Sequence, residues 1–295
     1  MEVQWYPGQM AKAKRLLREN LKLVDAVIEV LDARIPAASQ NPDIRELLSR
    51  RPVVAVLTHA DLADPEATAA WTDKLKDSYF AVSVVNANTG EGIKKLLQLL
   101  KTVPRRKKQD ARPLRLIVVG IPNVGKSSLI NRLIGRSAAQ TGDKPGITKN
   151  KQWLRLQEGL EMLDTPGMLW PKITSARQAF GLAAAGSVRD EILDPVQLGT
   201  ELISFMLAQA PKQLTERYRL ENPEAKPYDI LTEIGKRRGC LVKGGSVDVE
   251  AAARLLLKDF REGRLGRITL EKAGEEEHDA GICQNDSGED SPLPE

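Results

Sequence analysis

Gly120-Ile121-Pro122-Asn123-Val124-Gly125-Lys126-Ser127 decides how this chain is read. The apolar run Leu116–Val119 ahead of it has the length of a strand, and Ser128-Leu-Ile-Asn-Arg-Leu133 behind it suits a helix. A G-x-x-x-x-G-K-[ST] pattern between a strand and a helix is a phosphate-binding loop. Gly120 and Gly125 let the backbone curl until its amide hydrogens converge on an anion at the positive end of the helix. In this reading Asn123, Val124, Gly125, Lys126, Ser127 and Ser128 surround the phosphates. Lys126 supplies a point charge to the β and γ phosphates, and Ser127 a hydroxyl ligand for Mg²⁺.

Accessory motifs lie on both sides. Downstream, Leu163-Asp-Thr-Pro-Gly167 ends an apolar stretch in an acidic residue, so Asp164 can hold Mg²⁺ through water while Gly167 offers its amide to the γ-phosphate. Between them Pro145-Gly-Ile-Thr148 places a threonine in a loop, where Thr148 completes the metal's shell. Nothing after Gly167 resembles the Asn-Lys-x-Asp motif that reads a guanine base. The candidate lies upstream, as Thr58-His59-Ala60-Asp61 at the end of the strand Val53–Leu57. A carboxylate at Asp61 accepts the N1 and N2 hydrogens of guanine, which adenine cannot supply, and would be left unpaired against ATP. The strand Phe80–Val85 leads into Asn86-Ala87, placed to offer a backbone amide to the guanine carbonyl. Base readers first and phosphate binders second is a circular permutation of a GTPase, with the basic stretch 102–113 where the two ordinary ends would be joined.

Composition sets the bounds. A chain of 295 residues carries about two domains at roughly 150 residues each. No uncharged run approaches the ~18 residues of a membrane span, and the first residues lack the pattern of a leader peptide. Two cysteines and two histidines cannot build a disulfide framework or a Cys/His metal site, which fits a reducing cytoplasmic setting. Residues 271–295 hold nine Asp or Glu against one Lys, so the net charge of +4 conceals a body at +12. That excess suits an anionic partner, and aromatics at 4% favour backbone contact over base stacking. After about residue 174 the strand signals fade. Thr200–Ala208 and Asp248–Glu262 read as helices, the latter with Val249, Ala253, Leu256 and Phe260 on one face and a basic stripe of Arg254, Lys258 and Arg261 on another. The expected fold is α/β: a mostly parallel sheet between helices over residues 1–173, an all-helical domain over 174–270, and a disordered acidic tail over 271–295. Trp153 and Trp170 are assigned to packing.

The sequence resembles the circularly permuted GTPases of ribosome assembly over residues 4 to about 270. The resemblance is carried by Trp5-Tyr-Pro-Gly-Gln-Met-Ala-Lys-Ala-Lys14, Leu31-Asp-Ala-Arg-Ile-Pro36 with Asn41-Pro42, Gly120–Ser127, Gly142-Asp-Lys-Pro-Gly-Ile-Thr148 and Leu163-Asp-Thr-Pro-Gly-Met-Leu-Trp-Pro171. It implies GTP and GDP binding, Mg²⁺-dependent hydrolysis, and association of a monomer with the large ribosomal subunit or its precursor. It also implies a C-terminal helical domain that contacts ribosomal RNA, alongside ribosomal proteins and no membrane. Two departures stand out. Thr58 and His59 occupy the places of the family's Asn and Lys, which weakens base binding by on the order of 1 kcal/mol each. Gln9 stands where the family's N-terminal motif carries His.

Met168 follows Asp-Thr-Pro-Gly, where many GTPases carry a water-orienting glutamine, and a thioether cannot activate water. Hydrolysis then draws on Gln9, on a ribosomal group, or on K⁺, since the resemblance implies that Asn123 helps bind that cation. Lys126, Asn123, Thr148 and Gln9 are accordingly the catalytic candidates. The expected activity is a GTP-hydrolysing switch, slow alone and stimulated by the ribosomal subunit and K⁺. The competing reading is an RNA-binding assembly scaffold with a structural nucleotide.

Overall fold

The computed structural model describes residues 7–41, 47–48, 51–105, 112–134, 152–156, 159–164, 173, 175–188 and 194–274. Six strands form one sheet: β1 (Ala26–Asp32), β2 (Val53–Thr58), β3 (Ala81–Val84), β4 (Leu114–Val119), β5 (Gln152–Arg155) and β6 (Leu160–Asp164), in the order β3-β2-β1-β4-β6-β5. All neighbours are parallel except β5, which pairs antiparallel with β6. This edge strand carries no long apolar run and was not among the expected strands. Every residue of the central strand β1 is buried. Coverage on both faces explains why it reads as a nearly continuous apolar run rather than an alternation.

Side chains nevertheless part by face, as the period of two requires. Ile28, Val30, Val54, Val56, Leu116 and Val118 pack with Leu96 and Leu100 of α3 (Ile93–Lys101) and with Leu129 and Leu133 of α4 (Lys126–Ile134). On the opposite face Val27, Ile117 and Val119 meet Leu17 and Leu21 of α1 (Pro7–Leu21). There too, Leu31, Ala55 and Leu57 meet Trp71 and Leu75 of α2 (Pro65–Lys76). Because these strands run parallel, the chain leaves β1, β2, β3, β4 and β6 at one edge, where α/β sheets bind ligands.

Helices follow: α5 (Ala176–Ala184), α6 (Pro195–Gln209), α7 (Pro211–Tyr218), α8 (Pro227–Arg238) and α9 (Val249–Arg261). Asp194 and Asp248 cap α6 and α9, accepting from Val196 N–H at 2.9 Å and Ala251 N–H at 2.9 Å. Helix α9 packs on α6 and α8. Asp259 of α9 is a buried hub that accepts from Arg217 Nη2 at 2.7 Å, Tyr218 Oη at 3.1 Å and Arg264 Nη1 at 3.0 Å. Burial works to raise its pKa, but these donors hold the carboxyl below its usual range. Leu182, Leu202, Ile203 and Leu256 belong to the same apolar core as the sheet.

Three expectations change. The stripe Arg254, Lys258, Arg261 is divided: Arg261 turns to the end of α5, donating to Ala184 O at 3.0 Å and Ala183 O at 2.9 Å. The stretch 102–113 is not simply exposed, since Val103 is buried and Arg112 binds both carboxylate oxygens of Asp25, at 2.6 and 2.9 Å; residues 106–111 lie outside those described. The tail does not begin at 271. After α9 the segment 263–272 returns to the sheet, and Glu271 is buried, its carboxylate accepting from Ala37 N–H at 2.5 Å and Ala38 N–H at 3.0 Å. Trp71 Nε1–H donates to Glu271 O at 2.9 Å.

Burial pushes the Glu271 carboxyl up to about 7, and nearby Asp32 adds to this, against the lowering influence of the two amides and Arg177. A carboxyl with a raised native pKa favours the folded state most at low pH and loses that contribution as pH rises through about 7. Glu271→Gln should therefore flatten the decline in melting temperature between pH 5 and pH 8, measured by calorimetric scans across that interval.

Candidate nucleotide site

The edge at which the parallel strands end gathers, among the described residues, the loops after β2, β3 and β4 that carry Asp61, Asn86 and Lys126. Between β4 and α4, Gly120 leaves no room for a side chain, since a Cβ there would lie 2.7 Å from Val30 O. Gly125 has a left-handed φ of 83°, and its Cβ would lie 3.3 Å from His59 Nε2 and 3.4 Å from Thr58 Oγ1. The phosphate loop and the base-reading loop thus touch at a glycine. Ser127 and Ser128 are exposed in the first turn of α4, whose positive end faces the loop.

Thr58, a departure from the expected asparagine, closes this contact. Its hydroxyl lies 2.6 Å from Val124 O and 2.9 Å from Leu31 O, both buried. One hydroxyl therefore joins the ends of β1 and β2 to the phosphate loop. His59 follows with a φ of 54°, unusual for a residue with a side chain. Its Nε2 is buried and has no hydrogen-bond partner among the described residues. A polar atom so placed is a site for a ligand's donor or acceptor.

Asp61 and Asn86 line one cavity of about 810 Å³, with Thr68 and Thr72 of α2, Lys94 and Lys95 of α3, and Arg267. Asn86 is used structurally: its Oδ1 accepts from Asn88 N–H at 2.9 Å and its N–H donates to Glu91 O at 3.1 Å. Ala87 O accepts from Arg132 Nε at 2.9 Å, and Asn88 O from Arg132 Nη2. Arg132 of α4 therefore ties the second base loop to the helix that follows the phosphate loop. Asn123, also left-handed at φ 60°, donates its side-chain amide to Gly186 O at 2.6 Å, just beyond α5. Lys126 Nζ donates to Ile121 O at 2.5 Å, and burial lowers its pKa to about 8.

Asp164 ends β6, beside the β4 strand that feeds the phosphate loop; its side chain lies outside the described residues. So do Thr148 and Gly167, together with Met168 and Trp170. Gln9 lies on α1, with its side chain undescribed. Trp153 is partly buried and stacks under Arg115, 4.5 Å from ring to guanidinium. Sequence reading missed Arg132, Arg261 and Arg267. Each acts on a backbone carbonyl 45 to 207 residues away, and no local pattern marks such a bond.

The sheet, the glycine-lined loop and the helix it opens define a GTPase domain of the phosphate-loop class. A family model described as a 50S ribosome-binding GTPase matches residues 115–230. The chain is 39% identical to ribosome biogenesis GTPase A of Priestia megaterium, over 94% of this chain and 99% of that protein. The corresponding protein of Thermotoga maritima is 33% identical, over 92% and 94%. The GNP-bound YlqF structure from T. maritima superposes with a TM-score of 0.66 at 30% identity, covering 90% of this chain and 99% of that one. The chain belongs to the ribosome biogenesis GTPase A family.

Two measurements probe this geometry. Thr58→Val removes the buried hydroxyl that donates to Val124 O at 2.6 Å and should cost about 1–3 kcal/mol in denaturant unfolding, whereas Thr58→Ser should cost less. A phosphate beside Lys126 should restore an ordinary ammonium, so GDP binding above pH 8 should take up close to one proton. Calorimetry in buffers of different ionisation enthalpy reads that uptake, which Lys126→Arg should abolish.

Proposed function

We propose that this chain is a GTP-hydrolysing switch of large ribosomal subunit assembly, a monomer acting in the cytoplasm. It would hold the precursor particle, through ribosomal RNA and ribosomal proteins, in the GTP state and leave it on hydrolysis. The single observation that carries the reading is the pair of bonds on the phosphate loop. Val124 O accepts from Thr58 of the base-reading loop, and Asn123 donates to Gly186 at the start of the helical part. Base, phosphate and helices are thereby coupled through one short loop, as a nucleotide-driven switch requires.

In this proposal the domain over 1–173 is a circular permutation, since the base loops after β2 and β3 precede the phosphate loop. The RNA-contacting domain occupies 174–270. Asp61 accepts the N1 and N2 hydrogens of guanine. Asn86 N–H is engaged with Glu91 O, so Ala87 is the member of that pair whose amide serves the guanine carbonyl. His59 Nε2 and Thr58 border the same site. The amides of 123–128 and the Lys126 ammonium hold the β and γ phosphates, with Gly167 N–H on the γ-phosphate.

The residues also fit the expected metals. Ser127 at the exposed start of α4 is a hard oxygen donor of the kind Mg²⁺ prefers, and Asp164 and Thr148 would complete that set. The amide oxygen of Asn123 would serve K⁺, while its NH₂ is anchored on Gly186. Such cations supply charge that offsets the negative charge of phosphoryl transfer. Lys126 and Asn123 orient the phosphates, and Gln9 is the chain's own candidate for positioning water.

Cosedimentation with large ribosomal subunits should show more binding with a non-hydrolysable GTP analogue than with GDP. Turnover should be slow alone, and rise at least tenfold with subunits in K⁺ but not in Na⁺. Equal sedimentation in both nucleotide states, with turnover indifferent to subunits, overturns the switch and leaves a scaffold.

A further inference from the structure

The cavity that holds Asp61 and Asn86 receives one side chain from the far end of the chain, Arg267. Its guanidinium donates Nη2–H to Ala60 O at 2.7 Å and Nε–H to Ala63 O at 2.9 Å, and these carbonyls bracket Asp61. The neighbours of Arg267 continue the pattern. Ile268 N–H donates to Leu62 O at 2.9 Å, and Thr269 Oγ1 accepts from Asp64 N–H at 3.1 Å. The segment is fixed beyond the loop as well, where Leu270 N–H donates to Arg34 O at 2.8 Å and Glu271 is buried against Ala37 and Ala38.

The loop from His59 to Asp64 belongs to neither β2 nor α2. Within itself it has the turn from Leu62 N–H to His59 O at 2.9 Å, and it starts from a left-handed residue. Its carbonyls at 60, 62 and 63 all point to partners on residues 267–268. A carboxylate that must meet two donors on a base gains from a backbone already held in place, because ordering it at the moment of binding subtracts from affinity.

We propose that Arg267 is a specificity-positioning residue of the guanine site, holding the Ala60–Ala63 backbone so that Asp61 meets both the N1 and N2 hydrogens. The inference rests on Asp61 as the base reader. It makes the C-terminal segment part of the nucleotide site, although that segment follows the last helix, α9. Arg267 itself touches backbone and acts through Asp61.

Competition between GDP and inosine diphosphate, on the full-length protein, tests this. Inosine lacks the 2-amino group, so the ratio of the two affinities reads the N2 contact alone. Arg267→Ala should lower the GDP preference about threefold to tenfold, the worth of roughly one hydrogen bond, with inosine diphosphate affinity changed less. Arg267→Lys retains a cation but not the two-carbonyl fork, and should fall between. Asp61→Ala should abolish the preference. If Arg267→Ala weakens both nucleotides by the same factor while Asp61→Ala removes the preference, Arg267 is merely structural and the inference fails. If Asp61→Ala leaves the preference intact, the base-reader assignment itself is wrong. Melting curves of each variant confirm that the fold is retained.

Discussion

The hydroxyl of Thr58 lies between the carbonyls of Leu31 and Val124, and the site depends on that placement. Three chain segments end at this point: β1, β2 and the loop after β4. Backbone carbonyls buried there must find donors or forfeit a hydrogen bond's worth of stability. A threonine is short enough to sit at the end of β2 and still reach the phosphate loop. The resemblance implies an asparagine in this position, and here the threonine hydroxyl makes the join.

A second set of contacts binds the helices to the sheet, and it is polar where the surroundings are not. Asp32 and Arg34 are both buried, paired at 2.6 Å. Burial opposes the Asp32 charge, but Arg34 keeps the carboxyl below its usual range, with His59 adding to the effect. Arg34 reaches on to Arg261 O at 3.3 Å and lies 5.8 Å from the ring of Phe260. Arg261 in turn satisfies the last carbonyls of α5, next to the Gly186 that holds Asn123. Burying such charges is expensive, and replacing a well-made pair by apolar residues is often neutral or better. What the pair supplies here is register. It holds the guanidinium of Arg34 where it reaches the last residue of α9.

These two sets meet on neighbouring residues of one loop, Asn123 and Val124. The phosphate loop is held by Thr58 on one side and Gly186 on the other, while the base loop is held by the phosphate loop and by the segment after α9. The helical part thus contacts this edge directly, through Gly186 between α5 and α6 and through Arg267 after α9.

The glycines of the phosphate loop, the strands β2, β3 and β4 and the helices α4, α6 and α9 were legible in the residues alone. Each depends on spacing within a few positions, and local backbone geometry imposes that spacing. The order of the motifs likewise placed Asp61 and Asn86 ahead of Lys126, and parallel pairing brings their loops to one edge. The short antiparallel β5, the buried end at Glu271, and the roles of Arg132, Arg261 and Arg267 belonged to the tertiary structure. An arginine that donates to a carbonyl 207 residues away has no partner in its own neighbourhood, and a buried Glu looks like any other acidic residue beside an acidic tail. Sequence by itself determines which backbone stretches can form and what chemistry they carry. Which unsatisfied carbonyl meets which donor is decided only when the packed core sets the distance between them.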